Sequence, residues 1–182
     1  IGFRDGDILL SADDTPLTRF DVDMLRAVAE AHVIKVNRGG LETEIFMPEV
    51  SLLDIAKDNP PFVEPLMPNV VDSVIVGMPF EKAGLQKGDS LLAVNGKTVG
   101  SWNTFLYEMA ALQADAEAEG KGNAALDIVY SRNGLRDTVS LQTDSLYKVG
   151  VLKNALSYKQ TRLSYGFFES FPAGIAMGVN TL

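Results

Sequence analysis

The sequence predicts an α+β, mainly β protein made of two similar, partly open β-barrels, each with one long helix. A motif of glycine, an apolar residue, two further residues and Gly-Asp occurs twice, at residues 2–7 and 84–89. Each copy continues with an apolar run, a polar turn and another apolar residue. Each copy also contains a later hairpin signal. A repeat of this length indicates two domains of one architecture.

The second copy contains every element in order. Residues 69–77 are rich in β-branched side chains, which predicts a strand. A short helical turn follows, with Pro79 near its start and Gly84 at its end. The next predicted strand, residues 90–94, is closed by the tight-turn signal Asn95-Gly96. A hairpin around Asn133-Gly134 completes the copy.

The stretch SWNTFLYEMAAL predicts the long helix of this copy, with Ser101 as its N-cap. Apolar residues recur at spacings of three and four, so the helix carries two apolar stripes. We expect one stripe to face the core: Trp102, Leu106 and Ala110. The other is expected to face a groove: Phe105, Met109 and Leu112. The pattern leaves the reverse assignment open.

The first copy has the same order but a different beginning. The strand DILLSA leads to a turn at Asp13-Asp14 instead of Asn-Gly, a helix is predicted around residues 20–31, and the hairpin turns on Gly39-Gly40. Arg38 corresponds to Arg132. No upstream strand or EKAG-like turn precedes its motif, so we expect this unit to be incomplete at its N-terminus. The extra residues of the second copy, QADAEAEGKGN, predict an exposed helix extension or a mobile excursion.

Composition excludes several classes of function. The formal net charge is -8, which argues against binding to nucleic acid or to an anionic lipid surface. Cysteine is absent, so disulfides and thiolate metal sites are excluded. No segment reaches the roughly 18 to 20 apolar residues that span a bilayer. The chain has no initiator methionine or signal peptide, and we expect it to be a piece of a longer protein.

No catalytic or metal-ligating residue is predicted. The single histidine, His32, cannot form a His-Glu-x-x-His zinc site, and a solvated or helix-terminal role is expected for it. The carboxylates have no spacing that suggests metal ligation. Both Gly-Asp pairs are interpreted as structural, because the glycines permit positive φ and the aspartate can accept hydrogen bonds from nearby backbone N–H groups.

The run FEKAGLQKGDSLLAVNGKTVGSW resembles bacterial PDZ domains over more than twenty residues, and both copies look like PDZ units. This resemblance implies tandem PDZ domains. The first is expected at residues 1–67 and lacks its N-terminal part, and the second is expected at residues 68–158. A membrane-proximal segment is expected at residues 159–182.

The PDZ resemblance also implies a peptide site. In PDZ folds of this type, a loop after the last hairpin binds a peptide carboxylate and leads into an edge strand. YKVGV resembles that loop, so the site is expected at Tyr147, Lys148, Val149, Gly150 and Val151, with the Phe105, Met109 and Leu112 stripe as its wall. Gly150 would leave room for the carboxylate, and Lys148 would either add charge or be solvated. PPFVEP resembles the loop more loosely and gives a second candidate: Pro61, Phe62 and Val63.

The closing segment TRLSYGFFESFPAGIAMGVNTL resembles the one after the second PDZ domain in the site-2 protease family, the intramembrane zinc metalloproteases related to the regulator of sigma-E protease. The resemblance implies a non-catalytic, periplasmic segment of a bacterial inner-membrane protein. It carries no cofactor itself, and zinc is expected in the parent enzyme. Phe167, Phe168 and Phe171 either lie at the membrane interface or dock on the PDZ core.

On this resemblance the chain would gate regulated intramembrane proteolysis of anti-sigma-factor-type substrates, by binding a peptide or by excluding bulky substrates. Its expected partners are a membrane-protein substrate or its peptide C-terminus, and the membrane domain of the same protein. Nucleic acid is not expected. The alternatives are a scaffold or localisation PDZ pair, and the PDZ pair of a periplasmic serine protease.

Overall fold

The computed structural model describes residues 2–48, 63–153, 164, 166 and 168–172. The chain divides into two units, one formed by Ile1–Pro65 with Gln160–Leu182 and the other by Leu66–Lys159. Both units consist mainly of antiparallel strands, and the sheets are open rather than closed barrels. This confirms the predicted α+β, mainly β class.

Residues 2–48 of the first unit form one four-stranded sheet and one helix. These are β1 (Ile8–Ala12), β2 (Thr15–Pro16), α1 (Val22–Glu30), β3 (Val33–Arg38) and β4 (Leu41–Phe46), with the sheet order β2-β1-β3-β4. The helix begins later than predicted because Asp21 is its N-cap, and the Met24 N–H donates to the Asp21 carboxylate at 2.9 Å. Val28, Ile34 and Val36 are at most 1% exposed and form the centre of its core.

The second unit repeats this sheet and adds further elements. It contains β5 (Val71–Val74), α2 (Pro79–Lys82), β6 (Ser90–Val94), β7 (Lys97–Thr98), α3 (Trp102–Ala118), β8 (Ala125–Arg132), β9 (Leu135–Gln142) and β10 (Val151–Lys153). One sheet has the order β7-β6-β8-β9, and a second pairs β10 with β5. The core includes the fully buried Phe80, Leu91 and Ile128. The QADAEAEGKGN stretch is in part an extension of α3, which reaches Ala118.

The five elements described for the first copy each have a counterpart in the second copy. Both contain the same irregularity, a register shift between Leu9 and Ser11 of β1 and between Leu91 and Ala93 of β6. The described residues of the first unit contain no counterpart of β5, α2 or β10.

The aspartate of the Gly-Asp motif is buried and pairs with an arginine from the hairpin. Asp89 is 0% exposed, and Arg132 donates to its two carboxylate oxygens from Nε and Nη2, both at 2.7 Å. The same Nη2 donates to the Gly84 carbonyl at 2.8 Å, and the Gln86 N–H donates to Asp89 at 2.8 Å. The motif therefore ties the turn after α2 to the far end of β8.

The two different turn sequences perform one structural role. Asn95 and Asp13 both have positive φ, at 47° and 48°. The Asn95 side-chain oxygen accepts the Asp127 N–H at 2.8 Å, and the Asp13 carboxylate accepts the Val33 N–H at 2.9 Å. Asp13 thus replaces asparagine without changing the turn, because both side chains tolerate this conformation and offer an acceptor oxygen.

Candidate peptide-binding site

The loop before β10 is a closed turn organised by Asp144. One oxygen of its carboxylate accepts the N–H groups of Leu146 and Lys148 at 2.9 and 2.8 Å, and its own N–H donates to the Lys148 carbonyl at 3.0 Å. Tyr147 has φ +57, which is uncommon for a residue with a side chain. The N–H of Lys148 is therefore used inside the loop, and its side chain is exposed.

Val149 and Gly150 pack against the rest of the second unit. Val149 is 5% exposed and belongs to the core, and its carbonyl accepts the Phe80 N–H at 2.9 Å. Gly150 has φ +74, and a Cβ added there would lie 2.1 Å from Cβ of Met78. From the sequence, we expected glycine at this position because a side chain would crowd a ligand carboxylate. In the structure, the close approach of Met78 also requires glycine there.

β10 presents one unpaired edge among the described strands. Val151 lies opposite Val74 in the antiparallel pair, and the Ile75 N–H donates to the Gly150 carbonyl at 2.8 Å. Hydrogen-bonded and non-hydrogen-bonded pairs alternate along such a ladder, so Val151 and Val74 form a non-hydrogen-bonded pair. The N–H and C=O groups of Val151 therefore point away from β5, where an added strand could bond to them.

The apolar stripes of α3 differ from the expected assignment. Phe105 is 1% exposed and packs in the core against Trp102, with ring centroids 5.3 Å apart. Met109 and Leu112 are partly buried and pack against the same core. Leu106, in contrast, is 45% exposed, and Ala110 is also exposed. Phe105 is therefore a core residue rather than a groove wall, because helix and sheets close over its ring.

α3 and β10 are linked at both ends and run in opposite directions. Beyond the C-terminal end of α3, the Lys121 carbonyl accepts the hydroxyl of Tyr147, in the loop that leads into β10. At the other end, Met67 contacts both Trp102, the first residue of α3, and Lys153, the last residue of β10. We define the candidate groove as the surface between the unpaired edge of β10 and the exposed Leu106 and Ala110 of α3.

The other predicted sites are less completely described. Val63 packs against the core of the first unit, whereas Pro61 and Phe62 of the second candidate loop lie outside the described residues. Phe167 also lies outside them. Phe168 and Phe171 are 86% and 64% exposed in the helical segment 168–172. No helix in the described part of the chain combines the length and apolarity needed to cross a membrane.

Nothing in the described ranges resembles a metal centre. They hold no cluster of three or more histidine, cysteine, aspartate or glutamate side chains suited to a metal ion. The His32 side chain is 91% exposed, and its Nδ1 lies 3.6 Å from the Asp13 carboxylate. This geometry matches the helix-terminal, solvated role expected for His32.

Sequence reasoning missed two contributors to this site, Asp144 and Met67. Asp144 could have been found, because an aspartate that begins a tight loop commonly accepts N–H groups two residues on. No sequence pattern pointed to Met67, because it lies in the short segment before the opening strand and its partners are distant in sequence.

Comparison with known proteins agrees with this architecture. Residues 70–114 match the PDZ domain family. The chain is 28% identical over 113 residues to a protein of Lactococcus lactis subsp. lactis named "Putative zinc metalloprotease", covering 60% of this chain and 22% of that protein. It is 29% identical over 157 residues to a protein of the same name from Neisseria meningitidis, covering 80% of this chain and 33% of that protein.

The chain thus spans between about a fifth and a third of the length of these relatives. The matched PDZ residues run from just before β5 into α3, so they include one wall of the candidate groove. The second unit contains a PDZ domain, and the chain is similar to part of proteins named as zinc metalloproteases.

Proposed function

We propose that this chain is the non-catalytic PDZ region of a membrane-embedded zinc metalloprotease of the site-2 type, and that its second unit binds the C-terminal end of a peptide. The observation that carries the proposal is the unpaired edge of β10 at Val151, on a strand that is linked to α3 at both ends. Similarity to proteins named zinc metalloproteases supports the nature of the parent protein.

The chemistry of the groove suits an extended peptide. A strand added to β10 would gain main-chain hydrogen bonds at Val151, each worth about 0.5 to 1.5 kcal/mol. Its side chains would meet the apolar surface of Leu106 and Ala110. Lys148 lies within the loop and is exposed, and its positive charge favours a negatively charged peptide end. So small a contact is expected to give micromolar affinity at best.

Zinc chemistry would belong to another part of the parent protein. The described residues offer no ligand cluster, and the one histidine of the chain cannot supply two imidazoles. In the proposed protein this region would face the periplasm and act before cleavage, either by holding a free peptide end or by keeping bulky substrates away. Phe168 and Phe171 would lie at the membrane interface.

Calorimetry with the 182-residue chain tests the peptide proposal. Peptides that end in valine should bind with a free carboxylate and lose roughly tenfold in affinity when amidated. Leu106→Asp, which places a charge in the groove, should weaken binding about as strongly. Leu135→Asp is the matched control, because Leu135 is 76% exposed on β9. Equal binding of free and amidated peptides, or equal effects of the two variants, would contradict the proposal.

A further inference from the structure

The dipeptide Asn-Gly occurs twice in the sequence, at Asn95-Gly96 and at Asn133-Gly134. Both are exposed type I′ turns, in which the asparagines have φ 47° and 51° and the glycines have φ 80° and 81°. An asparagine before glycine is chemically unstable in water, because the glycine nitrogen has no neighbouring side chain to hinder its attack on the asparagine amide. The two sites share this local chemistry, so their surroundings decide which of them reacts.

The side chain of Asn95 is bonded to β8 through both of its polar atoms. Its Oδ1 accepts the Asp127 N–H at 2.8 Å, and its Nδ2 donates to the Ala125 carbonyl at 3.4 Å. The main-chain N–H of Asn95 also donates to the Asp127 carbonyl at 2.9 Å. Rotation of this side chain would break both of its hydrogen bonds and leave the Asp127 N–H without its acceptor.

The side chain of Asn133 has no such anchor. It is exposed at the tip of the hairpin of β8 and β9, and neither its amide nor the Gly134 N–H makes a hydrogen bond with any residue that the structure describes. A Cβ added to Gly134 would meet no atom within 4 Å, so the turn has free space around it. The next residue, Leu135, is 76% exposed. This turn can therefore open, and its side chain can rotate, with little loss of packing or hydrogen bonding.

We infer that Asn133-Gly134 is a site of spontaneous deamidation in the folded chain and that Asn95-Gly96 is protected from it. The inference concerns a hairpin of the second unit and does not depend on the peptide binding proposed above. In both turns the asparagine has to leave its type I′ conformation before its Cγ can reach the glycine nitrogen. Loss of the two side-chain hydrogen bonds should make the reaction at Asn95 roughly five- to fiftyfold slower than at Asn133.

The reaction at Asn133 needs only water as a co-reactant. The deprotonated Gly134 nitrogen attacks Cγ of Asn133, the new N–Cγ bond closes a five-membered succinimide, and Nδ2 leaves as ammonia. Water then opens the ring. Cleavage of the bond from nitrogen to Cγ gives aspartate, whereas cleavage of the bond from nitrogen to the main-chain carbonyl carbon gives isoaspartate, in which the chain passes through Cβ and Cγ. The net change is gain of water and loss of ammonia, with no oxidation or reduction.

Isoaspartate at this position would weaken the hairpin beside a buried ion pair. It adds a main-chain carbon to the two-residue turn that joins Arg132 to Leu135, the last pair of the ladder between β8 and β9. The turn no longer matches type I′ geometry, which fixes the register of the two strands. Because Arg132 also holds the carboxylate of Asp89, the urea midpoint of the second unit should fall.

Ageing of the 182-residue chain tests this inference. The chain is incubated in mildly alkaline buffer, either folded or denatured in guanidinium chloride, and is then digested after acidic residues. The two sites fall in separate peptides, residues 90–108 and 128–137. Mass spectrometry with fragmentation identifies each converted asparagine, and isoaspartyl methyltransferase labels the isoaspartate. In the folded chain Asn133 should convert roughly five- to fiftyfold faster than Asn95, and in denaturant the two rates should become similar.

Two results would overturn the assignment of the site. One is conversion of Asn95 in the folded chain at the same rate as Asn133 or faster. The other is a difference that persists unchanged in denaturant, because local sequence rather than hydrogen bonding would then be its cause.

The variant Asn133→Asp is the matched control for the effect on stability. It adds the negative charge of the product without the additional main-chain carbon, and aspartate tolerates positive φ as asparagine does. Aged chain that contains isoaspartate should therefore have a lower urea midpoint than this variant. Equal midpoints would overturn the weakening of the hairpin and leave the site of deamidation in place.

Discussion

Arg132 holds the buried carboxylate of Asp89 in a two-point ion pair, and Arg38 holds Asp7 in the same way in the other unit. The first pair has both donor–acceptor distances at 2.7 Å, and the second has distances of 2.8 and 2.6 Å. Each arginine also donates to a carbonyl of the motif, that of Gly84 or Gly2. The aspartate therefore closes the turn and anchors the hairpin.

The ion pair between Asp89 and Arg132 predicts that replacing the arginine strongly lowers the stability of the second unit. Arg132→Leu would leave a fully buried carboxylate without its counter-ion, which is strongly destabilising. We expect the urea midpoint of the second unit to fall by about 1 M or more. The fluorescence of the single tryptophan, Trp102, measures this midpoint. Arg136→Leu in the same hairpin is the control, since Arg136 is exposed and should change the midpoint little. Similar shifts for both variants would contradict the pairing.

The Asp7 pair predicts acid sensitivity of the first unit. The hydrogen bond from Arg38 lowers the pKa of Asp7 below its ordinary value of 3.8, with burial opposing it. A carboxyl whose pKa is lower when folded contributes stability above its unfolded pKa, and this is lost as pH falls through the folded pKa. NMR titration of the Asp7 carboxyl should therefore give a midpoint below 3.8.

Arg38→Leu provides the control for this titration, because without the guanidinium only burial and the Arg4 N–H remain as the larger influences on Asp7. The midpoint should then rise. If it stays unchanged in the variant, the ion pair is not what lowers the pKa of Asp7.

Three glycines predict a graded series of alanine effects. Gly100→Ala has free space and ordinary φ, so stability should change little. Gly134 has φ +81 with free space, and alanine there should cost about 1 kcal/mol. Gly150 combines φ +74 with the 2.1 Å approach to Met78, and its replacement should cost roughly 2 to 4 kcal/mol. Urea unfolding of each variant gives the order, and equal costs at Gly134 and Gly150 would show that the contact with Met78 is unimportant.

The exposed aromatic residues at 168 and 171 predict partitioning onto liposomes. Burial of a phenylalanine is worth very roughly 1.5 to 3 kcal/mol, so replacing Phe168 and Phe171 by serine should reduce partitioning measurably. Phe46→Ser is the control, because Phe46 is 74% exposed on β4. Anionic lipid should not strengthen the binding, given the net charge of -8. Equal loss of binding in the control would remove the interface role of this segment.

Local features of this protein could be read from its sequence because neighbouring residues produce them. The backbone conformations of the Asn95-Gly96 and Asn133-Gly134 turns and the Ser101 N-cap are favoured by residues that lie next to one another in the sequence. The repeat was visible because both copies keep the same Gly-Asp motif. Even so, the partner of each aspartate was not evident, because Arg132 lies 43 residues from Asp89.

Tertiary structure alone decided which face of α3 is buried. Trp102, Phe105, Leu106 and Met109 are all apolar, so periodicity could not distinguish core from groove, and packing against Phe80 placed Phe105 inside. The contact of Met67 with Lys153 joins residues 86 positions apart. Contacts of this kind follow from how the chain folds back on itself, and short-range sequence patterns carry no record of them.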